Sequence, residues 1–117
     1  METSAYIVER GNNANGNWIK YADGRCEIFL NCNTTTGFTE PYGSLIAMKE
    51  MISIPLPFAL AKCFYKNSSV VFGGISFSGS VNITTNNNAQ CWCMNPIQTS
   101  TGSYQITVMF YIVGTWK

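Results

Sequence analysis

The sequence predicts an all-β domain, an antiparallel sandwich or barrel, on three observations. First, Asp23-Gly24 separates two β-prone runs, and Asp-Gly is a strong hairpin signal because a type I′ turn needs φ > 0 at both central positions. Second, apolar and polar residues alternate along 75–84 and 104–112, the period of a half-buried strand. Third, the chain is 46% hydrophobic but only 11% charged, against roughly 25% charged in soluble domains. Its polar surface must come from Asn, Thr, Ser and Gly, which suits β-structure, and so little charge often means surface covered in an oligomer. At 117 residues the chain fits one domain with its own core.

Taken in order, Ala5 to Arg10 forms a short first strand and Gly11 to Gly16 a turn-rich linker. Residues 1–16 thus precede a single domain spanning 17–117. The hairpin follows over Asn17 to Asn33. With Asp23 and Gly24 as its whole loop, Tyr21 faces Cys26, Lys20 faces Glu27, Ile19 faces Ile28 and Trp18 faces Phe29. One face then holds Ile19, Tyr21, Cys26, Ile28, Leu30 and Cys32, and wants a core. The other pairs Lys20 with Glu27 and Trp18 with Phe29 across the strands.

Thr34 to Ser44 is expected as a long polar loop carrying Phe38 and Tyr42. Leu45 to Ile54 is favoured as strand, and Pro55 and Pro57 place Ile52 to Phe58 at a sheet edge or strand end. Leu60 to Lys66 is another strand, with a turn at Asn67-Ser68. In 75–84, Ile75, Phe77, Val81 and Ile83 share a face, and Gly79 marks a bulge or bend. Ala89 to Met94 is a short strand. The last strand sets Tyr104, Ile106, Val108, Phe110 and Ile112 on one face, with Gln105, Thr107, Met109 and Tyr111 on the other.

Several function classes recede on composition. A net charge of +1 supplies no long-range field for nucleic acid or anionic membrane. No run reaches the roughly 18 apolar residues of a membrane span, and Met1-Glu2-Thr3-Ser4 lacks the basic and apolar segments of a secretory signal. Five cysteines, an odd number without such a signal, favour free thiols. The chain has no histidine, which removes the usual general base and most catalytic triads. Its six carboxylates, Glu2, Glu9, Asp23, Glu27, Glu40 and Glu50, are scattered, so no catalytic residue is assigned. Structural zinc usually wants at least two residues between paired cysteines. Cys91-Trp92-Cys93 and Cys26…Cys32 are therefore read as buried thiols, with no metal and no cofactor.

Three motifs in order carry a family resemblance. Tyr6-Ile7-Val8-Glu9-Arg10-Gly11, leading to Asn17-Trp18-Ile19-Lys20-Tyr21-Ala22-Asp23-Gly24, resembles the opening of C-terminal receptor-binding domains of bacteriophage tail fibres. Ile54-Pro55-Leu56-Pro57-Phe58 is similar to that family's leucine-proline-phenylalanine element, and Phe110 to Lys117 to its aromatic-rich final strand. The resemblance spans about Ala5 to Lys117, while 33–51 and 67–101 match nothing recognisable. It implies a β-sandwich knob at the distal tip of a virion's tail fibre, assembled as a homotrimer in the host cytoplasm. The implied partner is a bacterial surface polysaccharide or an outer-membrane protein, with neither nucleic acid nor membrane insertion involved. A polysaccharide-degrading tail enzyme and a purely structural trimerising cap are the alternatives.

Carbohydrate sites combine exposed aromatic rings with amides and hydroxyls. Asn86, Asn87, Asn88, Gln90 and Trp92 offer that mixture in one loop and strand, and Phe38, Glu40 and Tyr42 in another. These are the expected receptor-binding residues. Trp18, Phe29, Lys20 and Glu27, on the hairpin's second face, are the expected protomer contacts.

Overall fold

The computed structural model describes residues 6–42, 45–48, 51–72, 75–84, 87–95 and 102–117. Among them the strands are β1 (Ile7–Asn13), β2 (Gly16–Tyr21), β3 (Arg25–Tyr42), β4 (Leu45–Met48), β5 (Ile52–Pro55), β6 (Lys62–Phe72), β7 (Ile75–Ser78), β8 (Ser80–Ile83), β9 (Asn88–Trp92), β10 (Met94–Asn95) and β11 (Gly102–Thr115). All pairings are antiparallel and fall into two sheets. The large one runs β1-β2-β3-β11-β6-β7, with β4 continuing from the far part of β3 and β10 beside β4; the small one runs β5-β9-β8. The class is all-β, as the alternation predicts.

The alternating residues of β11 build the core. Ile106, Val108, Phe110 and Ile112 are buried, beside Ile28, Leu30 and Phe38 of β3 and Val70 of β6. Ile54, Ala89 and Cys91 of the small sheet close over them. The spine of the molecule is the unbroken β3–β11 ladder, from Phe38↔Gly102 to Arg25↔Thr115. It sets an elongated shape of 57 × 23 × 22 Å.

Four elements depart from expectation. β3 continues through 34–42, because β11 on one side and β4 on the other satisfy its backbone there. A polar, Thr-rich composition does not prevent a strand when neighbouring strands take its backbone groups in turn, β11 up to Phe38 and β4 from there to Tyr42. Asn67-Ser68 is not a turn but mid-strand in β6, where buried Ser68 donates to the Gly79 carbonyl (3.1 Å) and meets Cys91 Sγ at 3.5 Å. β1 reaches Asn13, so the expected linker is mostly strand and pairs with β2 in the large sheet. Finally, Gly79 is more than a bend: β7 before it lies in the large sheet and β8 after it in the small one. Cys93 does the reverse between β9 and β10. The prolines place β5 at an edge of the small sheet, as expected.

The hairpin register is one residue off the expected one. Trp18 pairs with Ile28, Ile19 with Glu27 and Lys20 with Cys26. The loop has three residues, not two: Gly24 N–H donates to the Tyr21 carbonyl (3.0 Å) and Gly24 sits at φ +95°. This is the three-residue connection with glycine in the left-handed region. Asp23 steadies it by accepting from Arg25 N–H at 2.9 Å and from its guanidinium at 2.6 Å. A one-residue slip turns a whole strand over. Ile28 and Leu30 are buried as expected, but Trp18 and Lys20 now face inward, and Ile19 and Tyr21 share the outer face with Glu27 and Phe29.

Thiol burial divides the five cysteines. Cys26, Cys91 and Cys93 are buried, Cys32 is half-buried, and Cys63 is exposed. Burial pushes the Cys26 thiol up to about 11 and the Cys93 thiol up to about 12. With an aromatic disulfide reagent at pH 8, Cys63 is expected to react promptly, and Cys26, Cys91 and Cys93 only at the unfolding rate. Because these pKa values are higher folded than unfolded, their stabilising contribution is complete below about pH 9. It is expected to decline as pH rises from there toward 12.

Candidate functional site

The inward turn of Trp18 and Lys20 closes one end of the sandwich. The Trp18 indole N–H donates to Glu9 at 2.8 Å, and the Lys20 ammonium lies 3.5 Å from the same carboxylate. That ammonium also sits 4.4 Å from the centre of the Phe58 ring and 5.1 Å from that of Trp116. The indole hydrogen bond, then Lys20, hold the Glu9 carboxyl below its usual range. The Trp116 indole in turn donates to the Tyr21 carbonyl at 3.2 Å. The pairing partner of Lys20 is therefore Glu9 rather than Glu27, which instead accepts from the Tyr21 hydroxyl at 3.4 Å. These contacts tie β1, β2, the segment before β6 and the C-terminal residues together. Trp18, Lys20 and Phe29 consequently do not form one patch: the first two pack inward and Phe29 points out.

The outer face of the large sheet is the more open surface. The small sheet covers only its other side. One cross-strand row on that outer face reads Asn12, Asn17, Phe29, Tyr111, Asn67 through β1, β2, β3, β11 and β6. The next row reads Asn31, Met109, Ser69. Phe29, 37% exposed, stacks on Tyr111 with centroids 5.0 Å apart and 27° between planes, and Tyr65 tilts against Tyr111 at 6.0 Å. Around Phe29 and Tyr111 lies a groove of about 410 Å³, lined also by Asn17, Asn31, Asn67 and Ser69. Among the described residues the amides of Asn17, Asn31 and Asn67 make no side-chain hydrogen bond. The arrangement presents flat rings beside amide donors and acceptors, the pairing of groups that polyhydroxylated ligands use.

The expected receptor-binding residues are spread elsewhere. Phe38 is a core side chain, 0% exposed, because β3 continues through it and turns it under the small sheet; it is not a surface residue. Glu40 and Tyr42 fall on the far end of β3, and their side chains lie outside the described residues, as does Asn86 altogether. Asn87 takes φ +61° in the tight connection from β8 to β9, donates to the Thr84 carbonyl at 3.0 Å and accepts from Leu56 N–H at 2.8 Å. Its backbone is thus part of the scaffold. Asn88 and Gln90 are half-buried, and Trp92 packs partly against the core. Among the described residues no group of three or more His, Cys, Asp or Glu could hold a metal ion.

With this geometry established, the fold can be compared with known structures. A C-terminal portion of the R1 pyocin fibre of P. aeruginosa superposes with a TM-score of 0.58 at 13% identity, over 92% of this chain. The fold is tail-fibre-like. The chain spans 28% of the length of that pyocin-fibre polypeptide. No protein-family model matches the sequence, and no curated protein matches it. The pyocin-fibre likeness therefore speaks to architecture, and the chemistry of any site rests on this chain's own residues.

Most of the outer-face row escaped the sequence reading. The sequence puts Phe29 on the hairpin's second face with Trp18, as a protomer contact, and Tyr111 and Met109 on the polar face of the last strand. Nothing local aligned them, because β3 meets β11 only after more than sixty intervening residues (Phe38↔Gly102). The usable signal was the set of asparagines at alternate positions, Asn31 and Asn33 after Phe29, on the face opposite Ile28 and Leu30.

Proposed function

We propose that this chain is a receptor-binding module of a tail fibre and contacts a bacterial surface through the uncovered face of its large sheet. The observation that carries the reading is the Phe29–Tyr111 stack, flanked in register by Asn17 and Asn67 on one side of a sheet whose other side carries the core. Support comes from the pyocin-fibre-like architecture and from the order of motifs in the sequence. In this reading the module is not an enzyme, sits at the distal tip of the fibre on a virion and is assembled in the host cytoplasm. It acts as a homotrimer. The outer edge of β1, unpaired among the described residues and with Tyr6, Ile7 and Val8 exposed, is the kind of edge a neighbouring copy covers, and light scattering should return three times the chain mass.

Adsorption to bacteria tests the contact surface. A panel of strains is screened for one that the fluorescent protein binds, and the double variant Phe29→Ala/Tyr111→Ala is compared on it. Loss of two stacked rings is expected to weaken binding at least tenfold, with unfolding changed far less than by a core truncation. Undiminished adsorption of the folded variant would reject this face, as would a screen in which no strain binds. If instead the variant falls from trimer to monomer, the face is a protomer contact.

A further inference from the structure

We infer that the ligand of this face is an uncharged oligosaccharide lying across the strands over two adjoining subsites. The inference rests on the reading of the outer face just given, and adds the chemistry of what it binds. The first subsite is the groove around Phe29 and Tyr111. It continues over Gly16, Asn17 and Asn31 into a second depression of about 440 Å³, whose further walls are Asn12, Asn13, Asn15 and Asn33. The two therefore share a wall and form one continuous surface. Each lies in the size range of small-ligand sites, about 300–1,000 Å³. The row from Asn12 to Asn67 crosses five strands, about 19 Å at roughly 4.8 Å per strand. That is longer than one sugar ring.

The two subsites differ in chemistry. The groove offers ring faces, suited to the C–H side of a pyranose, with amides at its edges. The second depression is almost entirely asparagine. Part of it is already committed: Asn13 Oδ1 accepts from Asn15 N–H at 2.8 Å and from Gly16 N–H at 3.2 Å, and Asn33 Oδ1 accepts from the Thr107 hydroxyl at 2.6 Å. Those bonds fix the walls and leave the amide NH₂ groups of Asn13 and Asn33 as donors. Asn17 and Asn31, on the shared wall, keep both a donor and an acceptor. Sugar hydroxyls, which donate and accept, match such a wall.

The charge pattern selects against acidic glycans. No lysine, arginine, aspartate or glutamate lines either subsite. A uronate or phosphate bound there would lose water without gaining a counter-charge, a costly exchange. The adjoining row of this face carries Arg10 and Glu27 on either side of Ile19, so it adds no net charge that would hold an anion. Burial and then Glu27 hold the Tyr111 hydroxyl above its usual range, so Tyr111 stays a neutral donor.

The test uses the whole chain and an array of lipid-free bacterial O-chain and capsular polysaccharides, sorted into neutral and acidic. Neutral chains are expected to bind and acidic ones not. A tetrasaccharide fragment of a bound chain should bind at least tenfold more tightly than its monosaccharide. Asn17→Ala/Asn31→Ala, checked for folding by circular dichroism, should lose at least tenfold, and Asn31→Lys should move preference toward acidic glycans. Acidic chains as the best ligands, equal binding of monosaccharide and tetrasaccharide, or an unaffected Asn17→Ala/Asn31→Ala variant would each overturn the inference. A bound strain treated with periodate or with protease separates the two levels of the argument. Adsorption that survives periodate and fails after protease overturns the glycan and leaves the receptor-contacting face standing. Adsorption unchanged in Phe29→Ala/Tyr111→Ala removes both.

Discussion

Gly114→Ala is expected to be among the most destabilising alanine substitutions outside the core side chains, alongside Gly16→Ala, whose Cβ would meet the Phe29 carbonyl. Gly114 pairs with Cys26 of β3 on one side and Cys63 of β6 on the other, next to the point where the β6 register shifts. A Cβ on Gly114 would collide with the Lys62 carbonyl, a backbone atom that cannot rotate away. The cost must be met by separating β11 from β6 at the bulge, and overpacking of a tight site costs roughly 1–3 kcal/mol, occasionally more. Urea unfolding should place the loss at or above about 3 kcal/mol. Gly24→Ala, at φ +95° with only Lys117 near, should cost somewhat more than about 1 kcal/mol from backbone strain. A Gly114→Ala variant as stable as the parent would mean that β6 does not approach β11 this closely.

Phe110→Ala should produce the other large effect. Phe110 is 2% exposed and lies in the middle of the strand that both β3 and β6 pair with. Removing a buried phenylalanine costs about 3–5 kcal/mol through lost transfer energy and the cavity left behind. The adjacent Met109, on the outer face and 40% exposed, provides the comparison: Met109→Ala should cost well under 1 kcal/mol, within the range of surface changes. Denaturation of the pair thus reads out the two faces of β11 directly. Equal losses would contradict the sidedness on which both the core and the proposed groove depend.

How far the sequence reveals this structure depends on the range of the interaction involved. Period-two alternation is local, so the buried set Ile106, Val108, Phe110 and Ile112 was legible, as were the hairpin and the edge position imposed by Pro55 and Pro57. The hairpin's register was not. Asp-Gly serves both a two-residue loop and, with Gly24 alone at positive φ, a three-residue one, and that one residue reverses Trp18 and Lys20. Ser68 shows another limit. Its hydroxyl suggested a turn, but Gly79 and Cys91 satisfy it in the interior, and both are distant in sequence. Phe38 looked like a loop aromatic because Thr34, Thr35 and Thr36 precede it; only β4 and β11 reveal that the stretch is paired. The candidate site fails to appear for the same reason. Its five-residue row is assembled from five strands, and no window of sequence contains it.

The position of β11 has a consequence for how the chain acquires its fold. The most C-terminal strand lies between β3 and β6, at the middle of the large sheet. Until it arrives, the inner edges of both neighbours are unpaired. β3 must keep its unpaired edge for the time needed to make or diffuse the rest of the chain, since Arg25 meets Thr115 across ninety positions. Folding dominated by such distant pairing belongs to the slow class, milliseconds to seconds, and exposed strand edges invite pairing between molecules meanwhile. β11 is therefore the closing step, and a nascent chain lacking it would be a substrate for chaperones or for aggregation.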